Sequence, residues 1–309
     1  MSHVIPELGA ISDQLVGKGR KVKPKILVVD DEPDNLDLLY RTFRRDFQVL
    51  KASSGMDALS VLTSEGEVAV IISDQRMPEM KGTEFLSKTV PQFPNTIRII
   101  LTGFTDVEDL VEAINSGQVY KYITKPWDPG ELKEVVKRAT ETYALLRQRT
   151  HELDCAQRQA TLLKALVDIP RTSSPGKECL SALAKTFGES FSASDCVLQT
   201  VENGQLQPEP GVFAGSDSQG CSVDTDPLIK DAIDTQKIQL FLHTSTHDHA
   251  DYYADKGVGT HLVIPLIYND AATAILSLQW GQGFRLEQED VSTLHLVSHQ
   301  LALALMFMS

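Results

Sequence analysis

Five polar side chains in the first half of the sequence stand at or just after the end of a short apolar run. Asp30 and Asp31 follow KILVV, Asp74 ends VIISD, Thr102 ends IRIILT, and Lys125 follows YKYIT. Carboxylates held close together repel one another unless a cation lies among them. A hard divalent ion with oxygen ligands, most simply Mg²⁺ that keeps some of its waters, would relieve that repulsion. The set therefore predicts a site where a carboxylate attacks a phosphoryl group beside Mg²⁺ and Lys125.

The apolar runs before these side chains have the composition of buried strands, and helical patterns separate them. The expected strands are KILVV, FQVLKAS, VAVIIS, IRIILTG and YKYIT, and the expected helices contain LDLLYRTF, GMDALSVLTSEG, TEFLSKTV, DVEDLVEAINSG and GELKEVVKRATETYALLRQR. This alternation predicts an α/β doubly wound, five-stranded parallel sheet that is covered on both faces. Ligands of such sheets bind beyond the carboxyl ends of the strands, so the polar side chains are expected at one edge.

The first half of the chain resembles the receiver domain of two-component response regulators, which have a flavodoxin-like fold. The residues that carry the resemblance are Asp30, Asp31, Asp74, Thr102, Tyr122 and Lys125-Pro126. It covers residues 24–147, which we expect to form the receiver domain, after a flexible N-terminal segment at residues 1–23. It implies a sensor histidine kinase as the partner that donates the phosphoryl group.

The resemblance also implies a role for each residue of the site. Asp74 would be the phosphoacceptor. Asp31 would bind Mg²⁺ directly, Asp30 would act through water, and the backbone carbonyl of Arg76 would complete the protein ligands.

The same resemblance implies a switch. Lys125 would pair with the phosphoryl oxygens and Thr102 would donate its hydroxyl to one of them. Tyr122 would be the aromatic side chain that turns inward when Thr102 shifts.

Length and charge exclude several classes of protein. The 309 residues suffice for about two domains. The net charge of −13, from 42 acidic and 29 basic residues, opposes binding to nucleic acid. No run approaches the roughly 20 apolar residues of a membrane span, and the N-terminus lacks the pattern of a secretory signal. We therefore expect a cytoplasmic protein with no nucleic-acid or membrane partner, and its scattered cysteines to be reduced thiols.

The last helix of the first half has no proline or glycine from Glu131 to about Val167. Apolar residues at Ala139, Tyr143, Leu146, Leu153 and Ala160 form a seam suited to pairing with another helix. We expect a helical linker at residues 148–168 whose seam suits a coiled coil, and a homodimer formed through this helix and the linker. A solvated connector is the alternative, and His151 within it is expected to be an ordinary surface residue.

Residues 169–309 have the pattern of an α+β domain with an antiparallel sheet. Turn signals at ENG and YNDA suit hairpins, and amphipathic helices lie at both ends. This part resembles a GAF domain, on the strength of THLVIPLIYNDAATAILSLQW followed by GFRLEQEDVSTLHLVSHQLALAL. GAF domains bind small molecules, bilins or haem, or act only as dimerising signal modules.

Histidines of the second half raise two further possibilities. In DHADYYADKGVGTHLVIPL, His249 takes the histidine position of the bilin-attachment segment of phytochrome-type GAF domains, but Asp248 replaces the cysteine, so only noncovalent bilin binding stays open. His243, His247 and His249 could also bind Zn²⁺ or Cu²⁺, although solvated loop histidines are the simpler interpretation. A core or interface role is expected for His295 and His299, which share a helix face.

These observations predict a phosphorylation-dependent response regulator whose GAF-like output domain acts through dimerisation or through binding of a downstream protein. The alternative is a small-molecule or noncovalent bilin sensor coupled to a receiver. No nucleophile and base in the second half indicate an enzyme.

Overall fold

The computed structural model describes residues 23–103, 119–174, 176–216, 218, 223–243, 249–254, 256–284, 286 and 288–306. The chain divides between Glu152 and Leu153 into an N-terminal unit and a C-terminal unit. Within the described ranges, no helix combines the length and the apolar composition that spanning a bilayer requires.

The N-terminal unit is built on a parallel sheet of five strands in the order β2-β1-β3-β4-β5, which confirms the predicted fold class. The strands are β1 (Lys25–Val29), β2 (Gln48–Ala52), β3 (Val70–Asp74), β4 (Ile97–Thr102) and β5 (Lys121–Thr124). In the ladder, Val29 pairs with Ser73 and Asp74 pairs with Leu101. This register brings the carboxyl ends of the strands to one edge.

Three helices of this unit follow the predicted pattern: α1 (Pro33–Phe43), α2 (Gly55–Glu65) and α3 (Gly82–Thr89). Pro33 occupies the first turn of α1, where its missing N–H costs nothing, and the Ser54 side chain caps α2 by accepting from the Asp57 N–H. The helix predicted from DVEDLVEAINSG lies outside the described residues.

Both faces of the parallel sheet are buried, which explains the nearly continuous apolar runs. Ile26, Val28 and Ile72 pack into one core cluster, whereas Leu27 and Ile71 pack into another on the opposite face. Successive side chains of a strand alternate between faces, so a strand that is covered on both sides needs apolar residues at every position.

Helix α4 (Pro129–Thr172) begins in the N-terminal unit and ends in the C-terminal unit. Ala139 is fully buried in the N-terminal core and Tyr143 packs against it, so the predicted dimer seam is wrong at these two positions, because that side of the helix already has a partner. The helix also passes its expected end near Val167 and includes Pro170. Burial of Leu166 in the C-terminal core accompanies this extension.

The C-terminal unit has an antiparallel sheet, as predicted, and its strand order is β7-β6-β11-β10-β9, with β8 also paired to β6. Its elements are α5 (Lys177–Ser190), β6 (Asp195–Glu202), β7 (Gln205–Leu206), β8 (Gly211–Ala214), a short 3₁₀ turn (Val223–Thr225), α6 (Pro227–Thr235), β9 (Gln239–Leu242), α7 (Ala250–Ala254), β10 (Val258–Tyr268), β11 (Ala271–Gly281) and α8 (Gln288–Met306).

The stretch QLQPEPGVFAG forms two short strands, β7 and β8, because Pro208 and Pro210 have no N–H to donate to a ladder. The short helices α6 and α7 were not expected. The predicted hairpin turns are present, with Asn203-Gly204 and Asn269-Asp270 all at positive φ.

The two faces of the antiparallel sheet are covered by different helices. Helices α5 and α8, with the end of α4, pack on one face around Trp280 and Leu262. Helices α6 and α7 cover the other face and pack on Val263 and Ile275.

A buried polar chain ties α6 and α7 to the sheet. The Tyr253 hydroxyl donates to Asp226 Oδ1 at 2.5 Å and lies 3.0 Å from Nδ1 of His261, while Nε2 of His261 lies 2.8 Å from Oγ of Ser277. Asp226 also caps α6 by accepting from the Leu228 N–H. Because His261 is fully buried, its pKa falls from 6.5 to about 4, although the Asp226 carboxylate opposes the fall.

This pKa predicts acid destabilisation of the C-terminal unit. Neutral His261 favours the folded state, so the stabilisation is complete above pH 6.5 and is lost as the pH falls from 6.5 toward 4, by about 3 kcal/mol. Denaturant unfolding at several pH values, followed by Trp280 fluorescence in a Trp127→Phe background, measures it. His261→Gln should flatten this dependence; an equally steep slope in the variant would contradict the prediction.

Candidate functional site

Asp74 lies at the end of the central strand β3, where its carboxylate is almost buried. The residue is 6% exposed. Its Oδ2 accepts a hydrogen bond of 2.9 Å from the Arg76 N–H, and its Oδ1 lies 2.5 Å from Nζ of Lys125. A rigid strand therefore holds one carboxylate with its two oxygens in different environments.

Lys125 brings two strand ends together. It follows β5, and its ammonium lies 3.1 Å from Oδ2 of Asp30 in addition to its contact with Asp74. Asp30 is 1% exposed and accepts further hydrogen bonds from the Asn35 side chain and the Glu32 N–H. The peptide bond between Lys125 and Pro126 is cis.

Burial and the neighbouring charges have opposite effects on the pKa values of Asp74 and Lys125. Burial raises the pKa of the Asp74 carboxyl above its ordinary value, and the hydrogen bond and charge of Lys125 only partly counteract it. Burial lowers the pKa of Lys125, but the hydrogen bonds and charges of Asp74 and Asp30 outweigh it, so the net shift is upward. The ammonium is thus held in its charged form between two carboxylates.

Thr102 and Tyr122, the predicted switch residues, lie on neighbouring strands. Thr102 ends β4 at 1% exposure, and its hydroxyl donates to the Gly103 carbonyl at 3.0 Å. Tyr122, on β5, is 39% exposed. The side chain of Tyr122 therefore faces outward in this structure.

Asp31 and Arg76 line one surface pocket beside the end of β3, together with Gln75, Met77, Pro78 and Lys81. The donors at this edge are hard oxygens, from the Asp31 and Asp74 carboxylates and the Arg76 carbonyl, and the pocket is open to water. Both features suit Mg²⁺, which keeps several waters. In the part of the chain that the structure describes, however, no group of three or more His, Cys, Asp or Glu side chains is gathered for a metal. Asp30 and Asp74 instead face Lys125.

Two residues of the site were not predicted from the sequence. Asn35 holds the Asp30 carboxylate from the first turn of α1, and Gln75 bonds to the start of α3 through its side chain. Asn35 follows DDEPD, five residues after Asp30, which is a weak signal. Gln75 gave no signal, because its partner is eight residues away.

The candidate histidine sites are only partly within the described residues. Nε2 of His249 lies 2.7 Å from Oδ2 of Asp231 on α6. His243 begins the segment after β9, and His247 lies outside the described residues. His295 and His299 contact each other edge to face at a centroid distance of 4.6 Å. The predicted sharing of one face of α8 by these last two residues is therefore confirmed.

A row of buried polar side chains crosses the α6/α7 face of the antiparallel sheet. Register pairs His261 with Gln279 and Gln279 with Asp195. Gln199, further along β6, donates to the Gln207 carbonyl at 2.6 Å, but its buried Oε1 has no hydrogen-bond partner. A buried acceptor without a partner is costly, so this face could receive a donor.

Comparison with protein families divides the chain as the geometry does. Residues 26–137 match the family model of the response regulator receiver domain, and residues 176–305 match that of the GAF domain.

Comparison with individual proteins finds relatives of the first part. The hydrogenase transcriptional regulatory protein HoxA of Cupriavidus necator is 40% identical over 44% of this chain and 28% of its own length. An uncharacterized 14.6 kDa protein of Leptolyngbya boryana is 37% identical over 37% of this chain and 87% of its own length. A solved receiver domain protein from Clostridium thermocellum is 31% identical and covers 40% of this chain and 98% of its own, with a TM-score of 0.38. The chain spans 28% and 26% of the two HoxA proteins that it matches.

The Lys125 ion pairs predict the effect of removing this charge. Lys125→Met should lower the free energy of unfolding of the N-terminal unit at pH 7 by about 2 kcal/mol, because Asp30 and Asp74 lose the cation that offsets their burial. The pKa of Asp74 is already raised, and without Lys125 it should rise further. The deficit should therefore shrink as the pH falls and the carboxyl takes up a proton.

Urea unfolding in Mg²⁺-free buffer between pH 4 and 8 tests this expectation. Lys51→Met is the matched control, because Lys51 makes an exposed ion pair with Asp37 on the same unit. A deficit that stays constant across the pH range would argue against it.

Proposed function

The chain belongs to the response regulators, with a receiver domain at residues 26–137 and a GAF domain at residues 176–305, and from this premise we propose that Asp74 accepts a phosphoryl group from a sensor histidine kinase. The observation that carries the proposal is the pairing of an almost buried Asp74 carboxylate with Lys125 at the end of the central strand. These charges lie at the carboxyl edge of the parallel sheet, where ligands of this fold bind.

The chemistry is an attack by one Asp74 oxygen on phosphorus. The P–O bond to Asp74 forms while the P–N bond of the donor phosphohistidine breaks, and the imidazole leaves. Asp74 Oδ2 accepts from the Arg76 N–H, so the carboxylate is held in one orientation before it reacts. Mg²⁺, held by Asp31, Asp74 and the Arg76 carbonyl with Asp30 acting through water, would neutralise charge on the phosphoryl oxygens.

Phosphorylation would redistribute the contacts of Lys125 and Thr102. The ammonium that now pairs with Asp30 and Asp74 would pair with a phosphoryl oxygen. The Thr102 hydroxyl, now donating to the Gly103 carbonyl, would donate to another phosphoryl oxygen. Space left by Thr102 would favour the inward position of Tyr122, so that two pre-existing conformations change in population.

The output of this switch is regulated self-association through α4 and α8, and helix α4 supplies the first half of the surface. Its exposed apolar or small residues from position 153 onward recur at alternating spacings of three and four, the spacing of a coiled-coil seam. They are Leu153, Ala156, Ala160, Leu163 and Val167. Leu162 and Leu166 of the same helix are buried in the GAF core.

Helix α8 supplies the second half. Its exposed side carries Leu296, His299, Leu303 and Met306, again at spacings of three and four. No Asp, Glu, Lys or Arg occurs between Val291 and Met306. An exposed helix face without charges is typical of an interface rather than a solvated surface.

A second copy of this chain is the partner that this surface fits best. The protein carries a net charge of −13, so two copies repel wherever acidic surfaces meet. Uncharged seams with heptad spacing bring identical helices together without opposing like charges. The GAF domain would then act as a dimerising module.

Phosphorylation is tested by intact mass. Incubation with Mg²⁺ and acetyl phosphate should add one phosphoryl group to the wild type and none to Asp74→Asn, because the amide cannot attack phosphorus. Omitting Mg²⁺ should slow the reaction strongly. An adduct on Asp74→Asn, or none on the wild type, would overturn the proposal.

Self-association is tested by light scattering coupled to chromatography, with and without acetyl phosphate. Leu296→Glu and Leu153→Glu should each shift the protein toward monomer by about tenfold or more in dissociation constant, since each buries a charge in the seam. Leu38→Glu is the matched control, because Leu38 is an exposed leucine on α1. Unchanged molar mass in both seam variants would exclude this surface.

A small-molecule sensor is the second candidate function, and one observation favours it. Gln199 Oε1 is buried without a partner on the polar face of the GAF sheet, where a ligand that donates a hydrogen bond would satisfy it. Such a ligand would be a small polar molecule. Noncovalent bilin binding near His249 is a narrower version, and native mass spectrometry of the purified protein distinguishes either from a ligand-free GAF domain.

A further inference from the structure

Gln75 comes directly after Asp74 and is almost completely buried. It is 2% exposed. Its Oε1 accepts from the Thr83 N–H at 3.1 Å, and its Nε2 donates to the Thr83 hydroxyl at 3.3 Å. A buried amide that uses both of its ends on one residue is held in a single orientation.

The bond to Thr83 replaces the usual cap of helix α3. The residue before this helix is Lys81, whose side chain makes no capping hydrogen bond. The first N–H groups of a helix need an acceptor. Gln75 supplies it from the end of β3, so α3 is capped by the residue adjacent to Asp74.

Backbone contacts close the same segment. The Gly82 N–H donates to the Gln75 carbonyl at 3.1 Å. A Cβ on Gly82 would lie 2.2 Å from the Asp74 carbonyl oxygen, so only glycine allows this approach. Residues 76–81 are therefore held at both ends, and they include the Arg76 N–H that orients the Asp74 carboxylate.

We propose that Gln75 is a positioning residue for phosphoryl transfer, fixing residues 76–81 so that the Arg76 backbone stays aligned with Asp74. The inference rests on the function proposed above for Asp74. Gln75 itself touches no reacting atom. It acts through the Arg76 N–H, which holds the nucleophile, and through the Arg76 carbonyl at the rim of the pocket.

The test compares rates of adduct formation across a range of acetyl phosphate concentrations. Gln75→Leu keeps the size of the side chain but leaves the Thr83 N–H without an acceptor. We expect its maximal rate constant to fall about tenfold with little change in the half-saturating concentration, because alignment rather than binding is lost. Amide exchange of residues 76–82, measured without Mg²⁺ or acetyl phosphate, should become faster in the same variant.

Two further variants separate positioning from simple destabilisation. Gln75→Asn retains the amide but is one methylene too short to reach Thr83. It should therefore show the same slow adduct formation and fast amide exchange as expected for Gln75→Leu, and it provides the test if Gln75→Leu folds poorly. Thr83→Val removes the hydroxyl but keeps the N–H that Oε1 accepts, so it should stay within about twofold of wild type.

The outcomes distinguish the positioning role of Gln75 from the phosphoacceptor function proposed for Asp74. A folded Gln75→Asn with a wild-type rate, or a slow variant whose residues 76–82 exchange as in the wild type, would overturn the role of Gln75. If the wild-type protein forms no phosphoryl adduct, the proposed function of Asp74 is overturned instead. This outcome is observed on the wild type alone and does not depend on the Gln75 variants.

Discussion

The ion pair of Lys125 with Asp30 and Asp74 is the interaction on which the N-terminal unit depends. Two carboxylates that are 1% and 6% exposed would be very costly without a cation. The parallel arrangement makes the pairing possible, because β1, β3 and β5 all end at the same edge. Asn35 and the Arg76 N–H satisfy the remaining carboxylate oxygens. The charged groups therefore lie together at one edge of the sheet, where a phosphoryl group on Asp74 would change the partners of Lys125.

Helix α4 shows how one segment can serve several partners. Its early residues, such as Ala139, complete the core of the N-terminal unit, and later ones, such as Leu166, complete the core of the GAF domain. The face that remains uncovered in the later part carries the seam from Leu153 to Val167. Helix α8 also presents an exposed face without charges, and the proposed dimer would use both helices.

Much of this fold follows from local patterns. The strands around Asp74 are fully buried runs, and the turns at Asn203-Gly204 and Asn269-Asp270 need positive φ. Helices α6 and α7 were not predicted because they are short. Their apolar residues can be recognised as a buried face only when the sheet that they cover is known. Ala139 and Tyr143 were wrongly assigned to the seam, since helical spacing identifies a face but not its partner.

The sequence by itself determined the order of the strands and of the described helices in the N-terminal unit, the acidic and basic residues at the strand ends, and the uncharged stretch of α8, because these depend on residue types and on spacings along the chain. The tertiary structure decided which oxygens Lys125 pairs with, that Asn35 and Gln75 support the site, and which side of α4 is free. Those features depend on contacts between residues that are distant in sequence, and such contacts are set by sheet register and packing rather than by local propensity.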